Sequence, residues 1–328
     1  MTKIAIIGAG LSGLSAAHLL KNQASITIFE KARGVSGRAS TRRSKPYFFD
    51  HGAQYFTIRT NPFKDFMQPL LDQGIIERWN ARYVKFNGNQ IIERKKWVDD
   101  EPRYVGAPGM NQVAKHLAQD LNIHVNSKIT SLEHEGKWKL IDEQGDQYSN
   151  FDWVICTAPS PQVVELLPKS FAYHNDIKNI GMKASFSLML GFESRFPLEF
   201  DAAHVIHSDL SWIAVNSNKP RRSDHFTLVV HSSEEYAQEH IDDNLEKVMQ
   251  HLISETSYII GHNVSSANYQ TIHRWRYATN VKKYQAGTIF LDKEYKLAAS
   301  GDWCLGGRLE GAFTSAYNLS LKMKEIGL

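Results

Sequence analysis

Cysteine is scarce in this sequence of 328 residues, which contains only Cys156 and Cys304. Two cysteines allow one disulfide at most, so the chain is not a disulfide-stabilised scaffold, and a reduced cytoplasmic setting fits this composition. No cysteine pair has zinc-ligand spacing. His204 and His207 are three residues apart on a predicted strand and would point to opposite faces, so we expect no bound metal.

Long apolar runs are missing as well. No stretch approaches the roughly 20 apolar residues that a membrane helix needs, so we expect neither a membrane span nor a membrane partner. The apolar run after Lys3 is interrupted by glycines and serines, and no small-residue cleavage site follows it. It therefore does not resemble a signal peptide.

The sequence also lacks an excess of charge of one sign. Its 38 Lys and Arg residues oppose 35 Asp and Glu residues, which leaves a formal net charge of +3. Nucleic-acid-binding proteins usually carry a concentrated basic face, so we expect no nucleic-acid partner. Two short basic runs occupy residues 94–96 and 219–222. We interpret both as solvated loops, with attraction of a phosphate-bearing ligand as the alternative.

The first 30 residues predict a strand–helix–strand unit. Residues 3–7 are typical of a buried strand, residues 12–21 of a helix and residues 25–30 of a second strand. Such a unit favours a parallel sheet with a right-handed crossover. Residues 8–13, GAGLSG, lie between the first strand and the helix, where the dinucleotide-binding pattern G-x-G-x-x-G is expected.

Each glycine of this pattern has a physical role. Gly8 permits the tight turn, Gly10 lets the backbone approach a pyrophosphate, and Gly13 lets the helix pack closely on the strand. The helix N-terminus offers N–H groups and a positive dipole end to the phosphates. Glu30 ends the second strand, where a carboxylate can accept hydrogen bonds from both ribose hydroxyls.

The remaining chain predicts a second region built on an antiparallel sheet. Alternation around Asn87-Gly88 indicates a hairpin over residues 82–97, and Asn61 is the expected N-cap of a helix over residues 61–73. Further strands are expected at 152–156, 185–192, 226–231 and 296–301, and further helices at 111–121, 234–254 and 311–324. The parallel-sheet patterns fall at the start, middle and end of the chain, so the nucleotide domain is expected to be discontinuous.

Two stretches resemble flavin-dependent oxidases. Residues 30–38, EKARGVSGR, resemble that family's acidic residue followed by Gly-Gly-Arg, with Ser36 in place of the first glycine. Residues 301–312, GDWCLGGRLEGA, resemble its closing motif. The resemblance implies that Arg38 reaches the FAD phosphates and that Asp302 contacts the ribityl or phosphate region. It also implies a helix N-terminus aimed at the flavin, where its dipole would stabilise the negative charge of the reduced ring.

Three more stretches narrow the resemblance: DHGAQYFTIR at 50–59, VGAPGM at 105–110 and HRWRYA at 273–278. With GDWCL at 301–305, they resemble bacterial members of the renalase branch of the flavin amine-oxidase superfamily. The resemblance implies an α/β fold with α+β elements. A Rossmann-like FAD-binding domain is expected from residues 1–62, 98–168 and 274–328. A substrate domain with a mixed or antiparallel sheet is expected from residues 63–97 and 169–273.

The resemblance implies non-covalently bound FAD and oxidation of 2- or 6-dihydro isomers of NAD(P). The hydride moves to flavin N5, and O2 reoxidises the flavin, which yields H2O2 and NAD(P)⁺. A dihydropyridine that loses hydride becomes an aromatic cation directly, so no base is required. The protein must chiefly hold the donor carbon within about 3–3.5 Å of N5. The expected partners are O2 and a small-molecule substrate, a nicotinamide nucleotide isomer or an amine.

The resemblance also assigns site residues, none of them a catalytic acid or base. The cofactor-binding residues it implies are Gly8, Gly10, Leu11, Ser12, Gly13, Glu30, Lys31, Arg38, Ala53, Gln54, Ile129, Asp302, Glu310, Gly311 and Ala312. The substrate-contacting residues it implies are Tyr55, Phe56, Thr57, Arg59, Ser185, His273 and Trp275. By sequence alone, Tyr55 and Phe56 are interpreted as core aromatics, and His273 as a buried histidine. Cys304 is expected to be a packed thiol rather than a covalent flavin anchor.

Three other functions stay open at this point. The first is an amine oxidase, although the aromatic pair that such enzymes place beside the flavin is not identifiable in the sequence. The second is a flavin-binding protein without turnover. The third is an NAD(P)-dependent dehydrogenase, which the Glu-Gly-Ala turn at residues 310–312 disfavours because such an enzyme needs no second anchor far from the glycine loop.

The glycine loop and the closing motif together predict a yellow protein. Purified protein should show flavin absorbance and release intact FAD on heating, because both anchors act without a covalent bond. Chromatography of the heat-released chromophore checks this. A colourless protein that takes up no added FAD would contradict the prediction.

Overall fold

The computed structural model describes residues 1–98, 101–280 and 289–328. The chain divides into two compact units. Unit 1 comprises Met1–Gly37, Val113–Met182 and Thr279–Leu328, and unit 2 comprises Arg38–Gln112 and Lys183–Ala278. The expected domain bounds differ from these, since residues 38–62, 101–112 and 274–278 fall in unit 2 and residues 169–182 in unit 1. The first difference arises because the strands just after residue 40 pack with the sheet of unit 2.

The strands of the described residues, in chain order, are β1 (Thr2–Ile7), β2 (Ala24–Phe29), β3 (Thr41–Ser44), β4 (Tyr47–Asp50), β5 (Ile76–Arg78), β6 (Arg82–Asn87), β7 (Gln90–Lys96), β8 (Tyr104–Gly106), β9 (Ile123–His124), β10 (Ile129–His134), β11 (Trp138–Asp142), β12 (Gln147–Phe151), β13 (Trp153–Cys156), β14 (Met182–Phe192), β15 (Ala202–Ile206), β16 (Leu210–Val215), β17 (Phe226–Ser232), β18 (Tyr269–Asn280), β19 (Phe290–Asp292) and β20 (Leu297–Ala299). The α-helices are α1 (Leu11–Leu20), α2 (Asn61–Asp72), α3 (Asn111–Leu117), α4 (Ser160–Leu166), α5 (His174–Lys178), α6 (Glu234–Glu239), α7 (Leu245–Ile260) and α8 (Leu309–Glu325). No helix among the described residues is long and apolar enough to cross a membrane.

Unit 1 is built on a sheet with the strand order β19-β20-β13-β1-β2-β9. Strand β1 pairs in parallel with β2 and β13, and β13 pairs in parallel with β20. Apolar residues such as Ile4 and Ile6 make β1 a fully buried central strand, as expected for a parallel sheet covered on both faces. Segments far apart in sequence thus meet in one sheet, and α1 packs alongside α8.

Unit 2 is built on a sheet with the order β18-β14-β17-β16-β15-β6-β7. In this order, β14 pairs antiparallel with β17, β17 with β16, and β16 with β15, whereas β15 and β6 are parallel. The expected hairpin is confirmed, because β6 and β7 pair around a tight turn where Gly88 has a φ of 56°. One face of this sheet packs against α7 through residues such as Val84, Leu188 and Leu252. The strand side chains that alternate with these core residues lie on the opposite face of the sheet.

Two helix predictions need correction. The N-cap of α2 is Thr60, not Asn61, which is the first helical residue. The single helix expected over residues 234–254 is two helices, α6 and α7. The Asn244 side chain accepts hydrogen bonds from the backbone N–H groups of Glu246 and Lys247, so it starts a new helix. An N-cap of this kind interrupts an apolar periodicity that otherwise runs through both segments.

Candidate functional site

The glycine loop of unit 1 has the geometry that its sequence predicts. Gly8 has a φ of 109°, which only glycine adopts readily. A Cβ on Gly13 would lie 2.0 Å from the carbonyl oxygen of Gly8, so any side chain there would force the helix off the strand. A Cβ on Gly10, in contrast, would meet nothing within 4 Å. Gly10 therefore presents open backbone to which a pyrophosphate can come close, as a dinucleotide requires.

Glu30 is buried and fastens this loop. Its two carboxylate oxygens accept hydrogen bonds from the backbone N–H groups of Ala9 and Ala32, both at 2.8 Å. A carboxylate has about four acceptor positions, so two remain for ribose hydroxyls. The structure thus gives Glu30 a second task, holding the turn, that the sequence did not indicate.

Two helix N-termini in unit 1 suit a ligand that carries negative charge. Helix α1 begins after Gly10 and helix α8 after Arg308, and neither start has a side-chain cap. Their first-turn N–H groups and positive dipole ends can therefore serve a bound anion. The α8 start carries Glu310, Gly311 and Ala312. These features fit the pyrophosphate and the reduced isoalloxazine of FAD.

Serine hydroxyls connect the glycine loop to the closing motif. Ser12 Oγ lies 2.8 Å from Ser300 Oγ, which lies 2.9 Å from Ser315 Oγ on α8. The loop before α8 is closed by the Gly307 N–H, which donates to the backbone carbonyl of Asp302 at 3.0 Å. These contacts join the two predicted cofactor anchors within unit 1, although Ser12 and Ser300 are 288 residues apart in the chain.

The other predicted cofactor residues lie in varied settings. Lys31 is exposed and donates to Gln162 Oε1 at 3.2 Å. Ile129 and Leu11 are buried, with Ile129 inside the core of unit 1. Arg38 falls in unit 2, where its Nη1 donates to the backbone carbonyl of Ala278 at 2.9 Å. Their cofactor contacts stay predictions.

Unit 2 contains a buried charge cluster around Asp50. The Asp50 carboxylate lies 2.6 Å from Arg222 Nη2 and 3.4 Å from Lys219 Nζ, and the side chains of all three are essentially unexposed. Burial acts to raise the pKa of Asp50, but Lys219 and Arg222 lower it to about 2. Burial lowers the pKa of Lys219 to about 8, against the opposing effect of Asp50. At neutral pH the cluster therefore carries one net positive charge.

This cluster corrects one sequence interpretation. Residues 219–222 were expected to form a solvated loop, yet Lys219 and Arg222 are buried as partners of Asp50. Arg221, the third basic residue of this run, does lie at the surface, beside Glu77. No local pattern indicates this, because the partner is about 170 residues away. The only indication in the sequence was Asp50, the acidic residue of the stretch at 50–59, to which the sequence analysis gave no role.

Gln54 is held by the cluster and by the backbone. Its Oε1 accepts a hydrogen bond from Lys219 at 3.1 Å, and its Nε2 donates to the carbonyls of Asp50 at 2.6 Å and Gly52 at 3.0 Å. The same Nε2 lies 3.3 Å from His231 Nε2. The adjacent Ala53 N–H donates to the backbone carbonyl of Arg38 at 2.9 Å. The amide of Gln54 is therefore fixed in one orientation by charged and backbone partners.

Three histidines near Gln54 are uncharged at neutral pH. Burial lowers the pKa of His51 to about 3, with a further contribution from His273, and burial lowers the pKa values of His231 and His273 to about 4. His51 stacks on Trp275 with 5.3 Å between ring centroids, and Trp275 Nε1 donates to the His51 carbonyl at 2.9 Å. The His273 ring lies 4.3 Å from Trp275. Two predicted substrate residues, His273 and Trp275, are thus brought together.

The remaining predicted substrate residues are dispersed. Tyr55 lines a cavity of about 300 Å³, together with the residues Tyr83, Lys95, Trp97, Arg103, His204 and Trp212. Phe56 is buried and packs near Phe63, as a core aromatic does. Arg59 is exposed and paired with Glu101, Ser185 Oγ donates to the Phe186 carbonyl at 3.3 Å, and Thr57 is half-buried. Sequence reasoning missed the aromatic partners of Tyr55, because they come from four different strands and loops.

The Glu30 geometry generates a prediction for cofactor affinity. The Glu30→Gln variant keeps the size of the side chain but removes its charge and one of its acceptors. FAD binding should weaken by about 1.5–3 kcal/mol, or roughly 10- to 100-fold in Kd. Fluorescence titration of the apoprotein with FAD measures the change, and Glu325→Gln, at an exposed ion pair, is the matched control. An unchanged Kd would show that the carboxylate does not contribute to cofactor binding.

The neutral histidines predict how stability depends on pH. Their folded pKa values lie below the ordinary value of 6.5, so the unfolded chain binds more protons between about pH 4 and 6.5. Stability should therefore fall as the pH drops through this window, and His231 and His273 should contribute no further loss below it. Thermal midpoints measured from pH 7 to 4 should drop less steeply for His231→Gln than for the parent protein. His134→Gln, at an exposed position, should keep the parent's slope; equal slopes in all three would contradict the assignment.

Comparison with known proteins places this geometry in a family. Residues 6–70 match the NAD(P)-binding Rossmann-like domain, and residues 79–319 match the flavin containing amine oxidoreductase family. The chain is 22% identical to renalase of Mus musculus over 351 residues, with 99% of each chain covered. It is 24% identical to L-amino-acid oxidase of Crotalus adamanteus over 170 residues, which cover 50% of this chain and 32% of that protein.

Solved structures share the fold at low sequence identity. A candidate protoporphyrinogen oxidase from Exiguobacterium sp. 255-15 has a TM-score of 0.79 at 12% identity, with 99% of both chains covered. Putrescine oxidase bound to putrescine has a TM-score of 0.72 at 14% identity, also with 99% of both chains covered. The family match over residues 79–319 spans most of the chain and includes the stretch at 301–312, while the stretch at 30–38 lies within the Rossmann-like match. The protein therefore belongs to the flavin containing amine oxidoreductase family and is a flavin-dependent oxidoreductase of mixed α/β fold.

Proposed function

We propose that the protein is an FAD-dependent oxidase of 2- or 6-dihydro isomers of NAD(P). When bound, FAD would accept the hydride at N5 and pass the electron pair to O2, which yields H2O2 and NAD(P)⁺. The residues Gly8–Gly13, Glu30, Asp302 and the start of α8 would hold the cofactor. The likeness to renalase over the whole chain supports this branch of the family.

One observation carries the proposal. Among the described residues of the charge cluster around Gln54, no carboxylate is available to act as a base. Asp50 is ionised, but Arg222 and Lys219 hold its carboxylate. A dihydropyridine needs no base, because loss of hydride gives an aromatic cation directly. The residues here would position the ring and exclude water, which are the tasks that such a transfer leaves to the protein.

The charge of unit 2 also favours an anionic donor. The Asp50 cluster carries one net positive charge, and Arg103 and Lys95 lie beside Tyr55 in the cavity. Positive charge attracts the phosphates of a nucleotide and repels the ammonium group of an amine. Trp275 offers a flat, uncharged ring that a nicotinamide ring would pack against, and the neutral His273 ring lies edge-on to it at 70°.

An amine oxidase is the second candidate, and one observation favours it. The uncharged imidazoles of His231 and His273 place no positive charge of their own beside a neutral amine, which is the form that oxidation requires. The similar proteins include L-amino-acid oxidase and putrescine oxidase. Against it stands the positive charge described above.

Two further parts of the proposal concern attachment and location. Burial raises the pKa of Cys156 and Cys304 to about 12, so neither thiol is ionised and available for a covalent flavin link. We therefore propose that FAD is bound without a covalent bond. The scarcity of cysteine supports a reduced, cytoplasmic location.

Anaerobic stopped-flow reduction tests the proposed substrate. The isomeric dihydronicotinamides should bleach the flavin at least about 10²-fold faster than 4-dihydro NADH or primary amines, since a displacement of about 1 Å has a cost of that order. Oxygen consumption should match H2O2 formation in air.

The pH profile distinguishes the two candidates. Reduction by a dihydropyridine should change little from pH 5.5 to 7, because the histidines near Gln54 stay uncharged throughout. An amine donor would instead react faster as the pH rises and its neutral form increases. Fast reduction by an amine, with the isomers leaving the flavin oxidised, would replace the proposal by the amine-oxidase alternative. No reduction by either class would leave a flavin-binding protein without turnover.

A further inference from the structure

The cavity beside Tyr55 is built from the free face of the unit 2 sheet. Val84, Val205 and Ile213 point into the core against α7. Their neighbours Tyr83, His204 and Trp212 therefore point to the opposite face. Strand pairing places these neighbours side by side, because His204 pairs with Trp212 and Tyr83 pairs with Lys95.

Aromatic rings form most of the cavity wall. Trp97 is nearly parallel to two other rings, with centroid distances of 5.3 Å to Tyr83 and 6.3 Å to Trp212 and interplanar angles of 23° and 21°. Tyr55 lies 5.1 Å from Trp97 and 5.8 Å from Trp212 at steeper angles. A wall of near-parallel rings with a tilted fourth ring suits a flat aromatic ligand, which gains stacking on several faces.

Two cations are stacked on these rings. The Arg103 guanidinium lies 4.2 Å from the Trp97 centroid, and Lys95 Nζ lies 5.1 Å from the Tyr83 centroid. Glu93, 3.2 Å from Lys95, is the acidic group at this rim, and the cavity lining itself contains no acidic residue among the described residues. Because the cations Arg103 and Lys95 lie at the cavity, a cationic ligand is disfavoured and an anionic one is attracted.

Two titratable rings of the lining, His204 and Tyr83, add no charge to the cavity at neutral pH. Burial lowers the pKa of His204, with a further contribution from Lys85, so its imidazole is neutral at pH 7. Burial raises the pKa of Tyr83, with a further contribution from Glu93, so its hydroxyl keeps its proton. The cavity is therefore aromatic and basic over the neutral pH range.

The size of the cavity limits the ligand further. At about 300 Å³ it lies at the small end of the range for ligand pockets, which suits one base with its ribose phosphate rather than a whole dinucleotide. Stacking of a base on aromatic side chains, with arginine or lysine on its phosphate, is a recurrent mode of nucleotide recognition.

We propose that this cavity binds a purine nucleotide, as the site for the adenylate half of the dinucleotide substrate. The inference rests on the proposed function for the identity of that substrate. It adds a second anchor that holds the donor by the part that does not react. Binding energy from such a remote group, if it is equal in the ground state and the transition state, lowers KM and leaves kcat unchanged.

Calorimetric titration of the FAD-saturated holoenzyme with AMP tests the site. AMP should bind, and adenosine and inorganic phosphate should each bind at least about 10-fold more weakly, because each lacks either the charge or the ring. Flavin absorbance recorded through the titration shows that AMP does not displace FAD.

Variants locate the binding. Arg103→Met and Lys95→Met should each weaken AMP binding by about 5- to 30-fold; Lys95 is at the exposed rim, so its replacement leaves the core untouched. Arg195→Met is the matched control, since Arg195 also lies over an aromatic ring, Phe226, but outside this cavity. The control should bind AMP as the parent does.

Kinetics separate this inference from the proposed function. With dihydro isomers of NAD, Lys95→Met should raise KM and leave kcat near the parent value, while isomers of the mononucleotide, which lack adenylate, should show no change. AMP binding with the expected variant effects but no flavin reduction would keep the site and reject the proposed substrate. Flavin reduction without AMP binding, or with binding that neither variant weakens, would overturn the inference.

Discussion

The Asp50 carboxylate is the interaction on which the candidate site of unit 2 depends. One oxygen accepts hydrogen bonds from Thr41 at 2.7 Å and from the Met110 N–H at 3.0 Å, and the other accepts them from Arg222 and Lys219. A buried charge is tolerated only when its partners replace the lost water, and removal of one partner typically costs about 3–5 kcal/mol. The cluster therefore fixes the start of the stretch at 50–59, and with it Gln54 and Tyr55.

In unit 1 the glycine loop depends on close backbone packing, as the candidate site of unit 2 depends on the Asp50 ion pairs. The contact that a Gly13 Cβ would make with the Gly8 carbonyl shows how near α1 lies to the end of β1. Glu30 holds the same turn from the second strand through two backbone N–H groups. The serine relay through Ser300 then joins the turn to α8. The two helix starts have no side-chain cap, so their first-turn N–H groups could serve a bound anion.

The two kinds of site favour different parts of one chemistry. Unit 1 offers open backbone and helix dipoles, which suit phosphates and a reduced flavin. Unit 2 offers neutral imidazoles, aromatic walls and net positive charge, which suit an anionic donor with a flat ring. Burial creates this division, because it suppresses protonation of His51 and His231 while ion pairing keeps Asp50 charged. Under the proposed function, the side chains of unit 2 would need to supply no acid or base, because loss of hydride from a dihydropyridine gives an aromatic cation directly.

The sequence by itself determined the elements whose causes are local. The glycine loop and β1 depend on backbone sterics and apolar runs, and the hairpin at Gly88 depends on its turn, so short windows were enough to predict them. The tertiary structure alone decided what depends on distant partners. It buried Lys219 and Arg222 against Asp50, although the run at 219–222 has the composition of a solvated loop. It also assembled Tyr83, Trp97 and Trp212 from separate strands and loops, because strand order and register are set by packing over the whole sheet and not by the neighbouring residues.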